Sequence, residues 1–200
     1  TLTIGSGTQD EITLSYYYLK ENNVPDFGVP YFQNKPLNVP IERFYGMSNA
    51  DYERNKTGIA TVSYTHLFSS DSSIKTTVRD ARYARDMRAT APRLTAAASA
   101  LSIANGTAVV NRQRQARGAK EHQFNIQSDF NTKFTTGKLN HEFVGGVEYV
   151  NESANRWTNT NTSAANPATT VGNTNTNPVL SAAFYNNWTR TAPNSYKGQT

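Results

Sequence analysis

The chain has 200 residues, 36% of them apolar and 18% charged, no cysteine, and a formal charge of +5. Without cysteine, disulfide scaffolds, thiolate zinc sites and cysteine nucleophiles are excluded together; without an apolar run of about 18 residues, so is a membrane-crossing helix. The apolar fraction lies below the roughly 45–50% of ordinary soluble domains, yet 11 tyrosines and 9 phenylalanines speak against disorder and for half-buried β structure. Residues 1–6 carry neither the basic nor the apolar region of a signal peptide.

Period-two alternation, which sends successive side chains to opposite faces of a strand, appears first over residues 11–19. Ile12, Leu14, Tyr16 and Tyr18 share one face there, and the turn at 5–10 leads back to a strand stub ending at Ile4. A hairpin over 57–85 follows. Ala60, Val62, Tyr64 and Phe68 lie opposite Thr61, Ser63 and Thr65; after the turn at 69–73, Ile74, Thr76 and Val78 lie opposite Lys75, Thr77 and Arg79. Beyond Asp80 the alternation fades, and a bulge that shifts its phase is expected. Residues 94–108 contain a run of alanine and serine compatible with a short helix.

A second hairpin spans 123–150. Phe124, Ile126 and Phe130 share a face with Ser128, and across the turn at 135–138 Leu139, Phe143, Val147 and Tyr149 share a face with His141 and Gly145. Gln123, Asn125, Gln127, Asp129, Glu142 and Glu148 populate the other side. The tail over 155–178 is rich in Asn, Thr and Ala and reads as irregular.

Connection lengths alternate. Short turns at 5–10, 69–73 and 135–138 contrast with long connections at 23–56, 88–118 and from 153 onward. Compact soluble domains rarely hold one structureless loop beyond about 12–15 residues. Outer-membrane barrels pair short periplasmic turns with long extracellular loops, around strands of about 9–11 residues with an apolar outside and a polar inside. The expected fold is therefore all-β: an antiparallel transmembrane β-barrel segment of about six to seven strands with long extracellular loops. A soluble β-sandwich with decorated loops is the rival.

Three stretches resemble TonB-dependent outer-membrane siderophore receptors of the ferric-catecholate kind. The first is Leu14-Ser15-Tyr16-Tyr17-Tyr18-Leu19 followed by Asn23-Val24-Pro25-Asp26-Phe27-Gly28-Val29-Pro30. The second is Phe44-Tyr45-Gly46 with Asp51-Tyr52-Glu53-Arg54-Asn55-Lys56-Thr57, continuing into Val62-Ser63-Tyr64-Thr65-His66-Leu67-Phe68. The third is Gly137-Lys138-Leu139-Asn140-His141-Glu142-Phe143-Val144-Gly145-Gly146-Val147-Glu148-Tyr149. The resemblance implies that residues 1–200 are part of a barrel domain whose plug, TonB box and remaining strands lie elsewhere. It also implies TonB-dependent uptake of a ferric siderophore across a Gram-negative outer membrane, with outer-membrane lipid, lipopolysaccharide and the TonB complex as partners. Nucleic acid is not among them. Iron would arrive already chelated, so neither a cofactor nor a protein metal site is expected. A passive porin or surface adhesin barrel is the alternative function.

Between residues 79 and 120 lie nine cations (Arg79, Arg82, Arg85, Arg88, Arg93, Arg112, Arg114, Arg117 and Lys120) and two acids, a net +7, leaving −2 for the rest of the chain. A cationic vestibule focuses the field on an anionic ligand, and guanidinium groups suit its oxygens and ring faces. The candidate ligand contacts are Arg82, Arg85, Arg88, Arg112, Arg114 and Arg117, with Tyr31, Phe32, Tyr45 and Trp157 as loop aromatics. Neutralising lipopolysaccharide phosphates at the barrel rim is the competing role for these cations. No serine has a plausible His and acid partner nearby, so no catalytic residue is assigned.

Overall fold

A computed structural model of the chain describes residues 1–162 and 164–200. The stub β1 (Leu2–Ile4) and β2 (Asp10–Asn23) precede a loop that carries a two-residue hairpin, β3 (Tyr31–Phe32) and β4 (Lys35–Pro36). Then come β5 (Tyr52–Ser69), β6 (Ser72–Leu94), the short helix α1 (Ala100–Ala104), β7 (Val109–Thr136) and β8 (Leu139–Thr160). A second long loop holds β9 (Thr169–Thr170) and α2 (Ala182–Asn186), and β10 (Thr189–Arg190) and β11 (Asn194–Gln199) return along β8.

The main sheet runs β1-β2-β5-β6-β7-β8-β10, with β11 also on β8 and β9 on the upper end of β7. All pairs are antiparallel, and the long strands pair with their neighbours in the chain. The sheet is thus an up-and-down meander. No described helix is long and apolar enough to cross a membrane.

Turn chemistry explains the short ends. Gly137 sits at φ 61° in the two-residue link between β7 and β8, and Gly5 and Gly7 take φ 74° and 79° between β1 and β2. These are conformations that a Cβ penalises. Ser70 and Asp71 close the third turn, beside a bulge between Leu67 and Ser69. Thr191, Ala192 and Pro193 separate β10 from β11, where proline cannot extend the ladder.

Paired residues of an antiparallel ladder share a face, so register sorts every side chain. The row Leu14–Val62–Val78–Ile126–Tyr149 lies on one face, together with Ile12–Tyr64–Thr76–Ser128–Val147 and His66–Ile74–Phe130–Gly145. The opposite face carries rows such as Ser15–Thr61–Arg79–Asn125–Val150 and Thr13–Ser63–Thr77–Gln127–Glu148. The apolar rows are uncovered: Val147 is 75% exposed and Tyr16 69%. No second sheet presses against them among the described residues, so the β-sandwich alternative fails. On β7 the apolar face runs from Phe124 to Phe134, about 33 Å of strand at about 3.3 Å per residue. Tilted by about 40°, that makes a band of about 25 Å, the height of the lipid-facing belt of a barrel.

Three expectations need correction. No bulge follows Asp80; β5 and β6 stay in register from Ser73 to Arg88, and β6 and β7 from Ser72 to Leu94. The expected loop at 88–118 is mostly strand, leaving only 95–108 as connection, and residues 155–160 of the expected irregular tail extend β8. The alternation is faint there because these stretches rise above the band, where neither face meets hydrocarbon and alanine and arginine serve on both. The helix α1 falls inside the expected 94–108, started by a Ser99–Ser102 capping box.

The packed core lies in this upper part. Tyr45, Val110, Ala108 and Val171 are buried together with Leu37, Val39 and Leu94 around them, and Met47, Ala50 and Phe184 form a second cluster. Because Val144 and Val147 sit on opposite faces near mid-band, an arginine at each gives a direct test in the full-length protein. Val147→Arg is expected to cost about 2–4 kcal/mol of barrel stability in a bilayer, and Val144→Arg to cost less than about 1 kcal/mol, as read from denaturant unfolding midpoints.

Candidate functional site

Continuous register divides the basic arm between the two faces. Arg82, Arg88, Arg112, Arg114 and Lys120 continue the apolar face upward, whereas Arg79, Arg85, Arg93 and Arg117 continue the polar face. The two sets meet different fates.

On the apolar side, three arginines strap the long loops to the sheet. The Arg112 side chain donates from Nε to the carbonyl of Tyr45 at 2.9 Å, from Nη1 to that of Pro167 at 3.3 Å, and from Nη2 to that of Asn175; the residue is only 4% exposed. Arg114 donates to the carbonyls of Asn161 at 2.6 Å and Ala164 at 2.8 Å, and to the Asn166 side chain. Arg88 Nε donates to the Ala50 carbonyl at 2.6 Å, while its guanidinium lies 5.2 Å from the ring centres of both Tyr52 and Phe184 and 5.4 Å from that of Trp188. Burial pulls all three guanidinium groups below their ordinary pKa, yet arginine stays charged in proteins. Asp51 sits among them, buried, accepting from the Met47 N–H at 2.9 Å and the Thr90 hydroxyl at 3.1 Å. Desolvation raises its pKa, against the pull of those hydrogen bonds and of Arg88 and Arg112.

Tyr45 is wholly buried, its hydroxyl donating to the Val171 carbonyl at 3.1 Å. Trp157 lies flat across Gly118, where a Cβ would come within 2.4 Å of the indole, and Arg190 stacks 4.3 Å above it. Tyr31 and Phe32 stand in the β3–β4 hairpin, Tyr31 62% exposed. Arg82 is solvent-facing and bonded to Asp80 at 3.0 Å.

On the polar side the geometry is open. Ala119 pairs with Arg85 on β6 and with Arg156 on β8, and Arg117 is two residues along the same face of β7. Three guanidinium stems therefore surround one methyl group, the floor of a cavity of about 460 Å³ that Glu121, Thr158 and Asn194 also line. Arg85 is tied to Glu53 at 2.7 Å, and Arg117 reaches Gln115 at the long distance of 3.5 Å. Arg156 makes no ion pair among the described residues. A second cavity of about 510 Å³ continues along the face past Glu152 and Tyr196. Such an arrangement can hold an anion by forked, charge-assisted hydrogen bonds. Of the sequence candidates, Arg85, Arg117 and Trp157 line this cavity, Trp157 with its indole laid across Gly118. Arg156 was missed because β8 was expected to end near Val150. Carrying its alternation on, with Gln123–Glu152 as the next rung, places Arg156 on the polar face.

The three histidines form no metal cluster, and among the described residues no group of His, Asp and Glu could hold a metal ion. His66 bonds Asp10 at 2.7 Å, His122 bonds Asp80 at 2.6 Å, and His141 stacks on Phe134 at 4.9 Å.

No family profile matches the chain. Among curated relatives, it is 30% identical over 163 residues to the probable TonB-dependent siderophore receptor PiuA of Acinetobacter baumannii, covering 78% of this chain and 21% of that protein. It is 27% identical over 172 residues to the catecholate siderophore receptor Fiu of Escherichia coli K12, covering 76% and 22%. The crystal structure of PiuA superposes with a TM-score of 0.68 at 28% identity, over 78% of this chain and 22% of that one. The closed form of Fiu from E. coli K12 superposes with a TM-score of 0.80 over 98% of this chain and 29% of that one, at 21% identity, a likeness of fold. The chain thus spans about a fifth of the length of these relatives.

Removing the Arg112 guanidinium leaves three loop carbonyls without their donor, a loss of at least about 3 kcal/mol at roughly 1.5–3 kcal/mol per charged hydrogen bond. Arg112→Ala in the full-length protein is therefore expected to speed amide hydrogen exchange in 37–47 and 164–178 by about 100-fold or more, with exchange in 124–134 unchanged.

Proposed function

We propose, for a chain that belongs to the TonB-dependent siderophore receptors and matches a stretch of their barrel wall, that it forms part of an outer-membrane receptor for a ferric siderophore. The relatives are receptors, not enzymes. The favoured cargo is a ferric catecholate, whose net negative charge and flat rings suit the guanidinium groups of Arg85, Arg117 and Arg156. Iron is substrate in this reading, carried in by its chelator.

The observation that carries the proposal is the convergence of those three arginines around Ala119 on the polar face. That face continues the rows expected to line the barrel interior, so an anion drawn to it is already on the inward path. The outward apolar rows, such as Leu14–Val62–Val78–Ile126–Tyr149, meet the lipid of a Gram-negative outer membrane, whose outer leaflet is lipopolysaccharide. Release inward requires the TonB complex acting on a plug domain.

The test uses the full-length receptor in cells. Arg117→Ala and Arg156→Ala together are expected to raise the half-saturating concentration for uptake of iron-55 ferric catecholate at least about 10-fold, equivalent to one lost charge-assisted contact. Barrel assembly should stay intact, since both side chains point away from lipid. Unaltered uptake would remove the groove from the binding site. Uptake that persists in cells lacking TonB would replace this reading with a passive porin.

A further inference from the structure

The arginine-lined cavity does not end at its cations. It shares Glu121, Arg156 and Asn194 with the neighbouring cavity of about 510 Å³, so the two make one groove along the polar face. Register sets out its chemistry in rows. The first holds Arg85, Ala119 and Arg156. Two residues down the strands, Tyr83, Glu121, Ala154 and Tyr196 stand side by side across β6, β7, β8 and β11. The row after that holds Gln123, Glu152 and Gly198. At about 3.3 Å per residue, the two carboxylate rows lie about 7 and about 13 Å below the arginine row.

The lower end of the groove keeps its charge. Among the described residues neither Glu121 nor Glu152 enters an ion pair; Glu152 accepts from the Gln123 side chain at 2.5 Å. Glu121 and Arg156 are diagonal neighbours across β7 and β8, within reach for long side chains, yet no ion pair joins them. Between Glu121 and Tyr196 lies only the methyl group of Ala154. Tyr196 is 60% exposed, and its phenol runs down over Gly198, where a Cβ would come within 2.5 Å of Oη. Its ring therefore spans from the Glu121 row to the row of Glu152, which pairs with Gly198. A wholly anionic cargo gains nothing from these groups: two carboxylates repel it, and an aromatic face is negative. Carboxylates and ring alike attract a cation. Among the described residues no group of His, Asp and Glu could hold a metal ion, so the fitting cation is an ammonium group, which brings its own N–H donors.

We infer that the groove is bipolar and selects ferric catecholates that carry a protonated amine. Arg85, Arg117 and Arg156 take the anionic iron-catecholate centre, while Glu121, Glu152 and Tyr196 take an ammonium group on the same molecule. The row spacing sets the separation of the two charges at about 7–13 Å. The inference rests on the siderophore reading above and adds to it the second charge. It also gives the unpaired neighbours Arg156 and Glu121 a common purpose, since each stays free for the opposite end of one ligand.

The experiment measures iron-55 uptake by cells expressing the full-length receptor, with two synthetic ferric catecholates as probes. One bears a primary ammonium arm of that reach; the other is its N-acetylated counterpart, which has lost the charge. The wild type is expected to half-saturate at a concentration at least about 10-fold lower for the ammonium complex, the worth of one charge-assisted contact. Glu121→Gln with Glu152→Gln should bring the two concentrations within about twofold of each other; glutamine keeps the side-chain shape and an acceptor for Gln123. Arg117→Ala with Arg156→Ala should instead raise both concentrations and keep the preference for the ammonium complex. If the double glutamine variant does not assemble, Glu121→Gln alone and Tyr196→Leu alone should each lower the preference about threefold. Equal concentrations in the wild type, or a preference that survives the glutamate and tyrosine substitutions, would overturn the inference. The siderophore reading still stands in that case if the arginine variant raises both concentrations. Uptake of neither complex by the wild type would overturn both.

Discussion

Antiparallel register is the constraint on which everything else depends. Once β2, β5, β6, β7 and β8 pair without a slip through their long central stretches, each side chain's face follows from its position by counting in twos. A one-residue shift would send Val78, Ile126 and Tyr149 inward and Arg79, Asn125 and Val150 into hydrocarbon. The unbroken ladder past Asp80 also gives the upper strands their meaning. It carries the same division of faces beyond the bilayer, where composition no longer announces it.

The two sides consequently use arginine in different ways. Outward-continuing Arg88, Arg112 and Arg114 act as structural cations, their donors spent on backbone carbonyls of loops that have few apolar residues to bury. A loop rich in Asn and Thr cannot be held by a hydrophobic core alone, and forked donors to carbonyls substitute for one. Inward-continuing Arg117 and Arg156 keep their donors largely free beside a cavity. The difference is one of topology, since the residue type is the same in both settings.

This explains how far the sequence was legible. Alternation revealed the membrane-level strands and their faces at residues such as Ile126 and Gln127, because hydrocarbon and water lay on opposite sides and selected opposite chemistry. The glycine and serine turns were readable from their own local demands. Strand extension through Ala89, Ala91, Gln113 and Gln115 was hidden, since both faces there are wet or small. The charge cluster was visible as a cluster, yet which arginines strap loops depends on carbonyls of Tyr45, Pro167 and Asn175, more than 50 positions away. Arg156 escaped notice for the same reason as the extension: nothing in Ala154-Asn155-Arg156 signals strand without the register of β7 beside it.

The meander has a consequence for how the chain acquires its shape. Long strands that follow one another in the chain supply most of the pairing, so the sheet can grow by adding one strand at a time to its edge. The straps obey another timetable. Arg112 bridges Tyr45 to Asn175, and Arg43 donates to the Val171 carbonyl 128 residues onward, so closure of the upper canopy waits until β8 and the segment beyond it have been laid down. Wall first and canopy last is the sequence of events this architecture imposes.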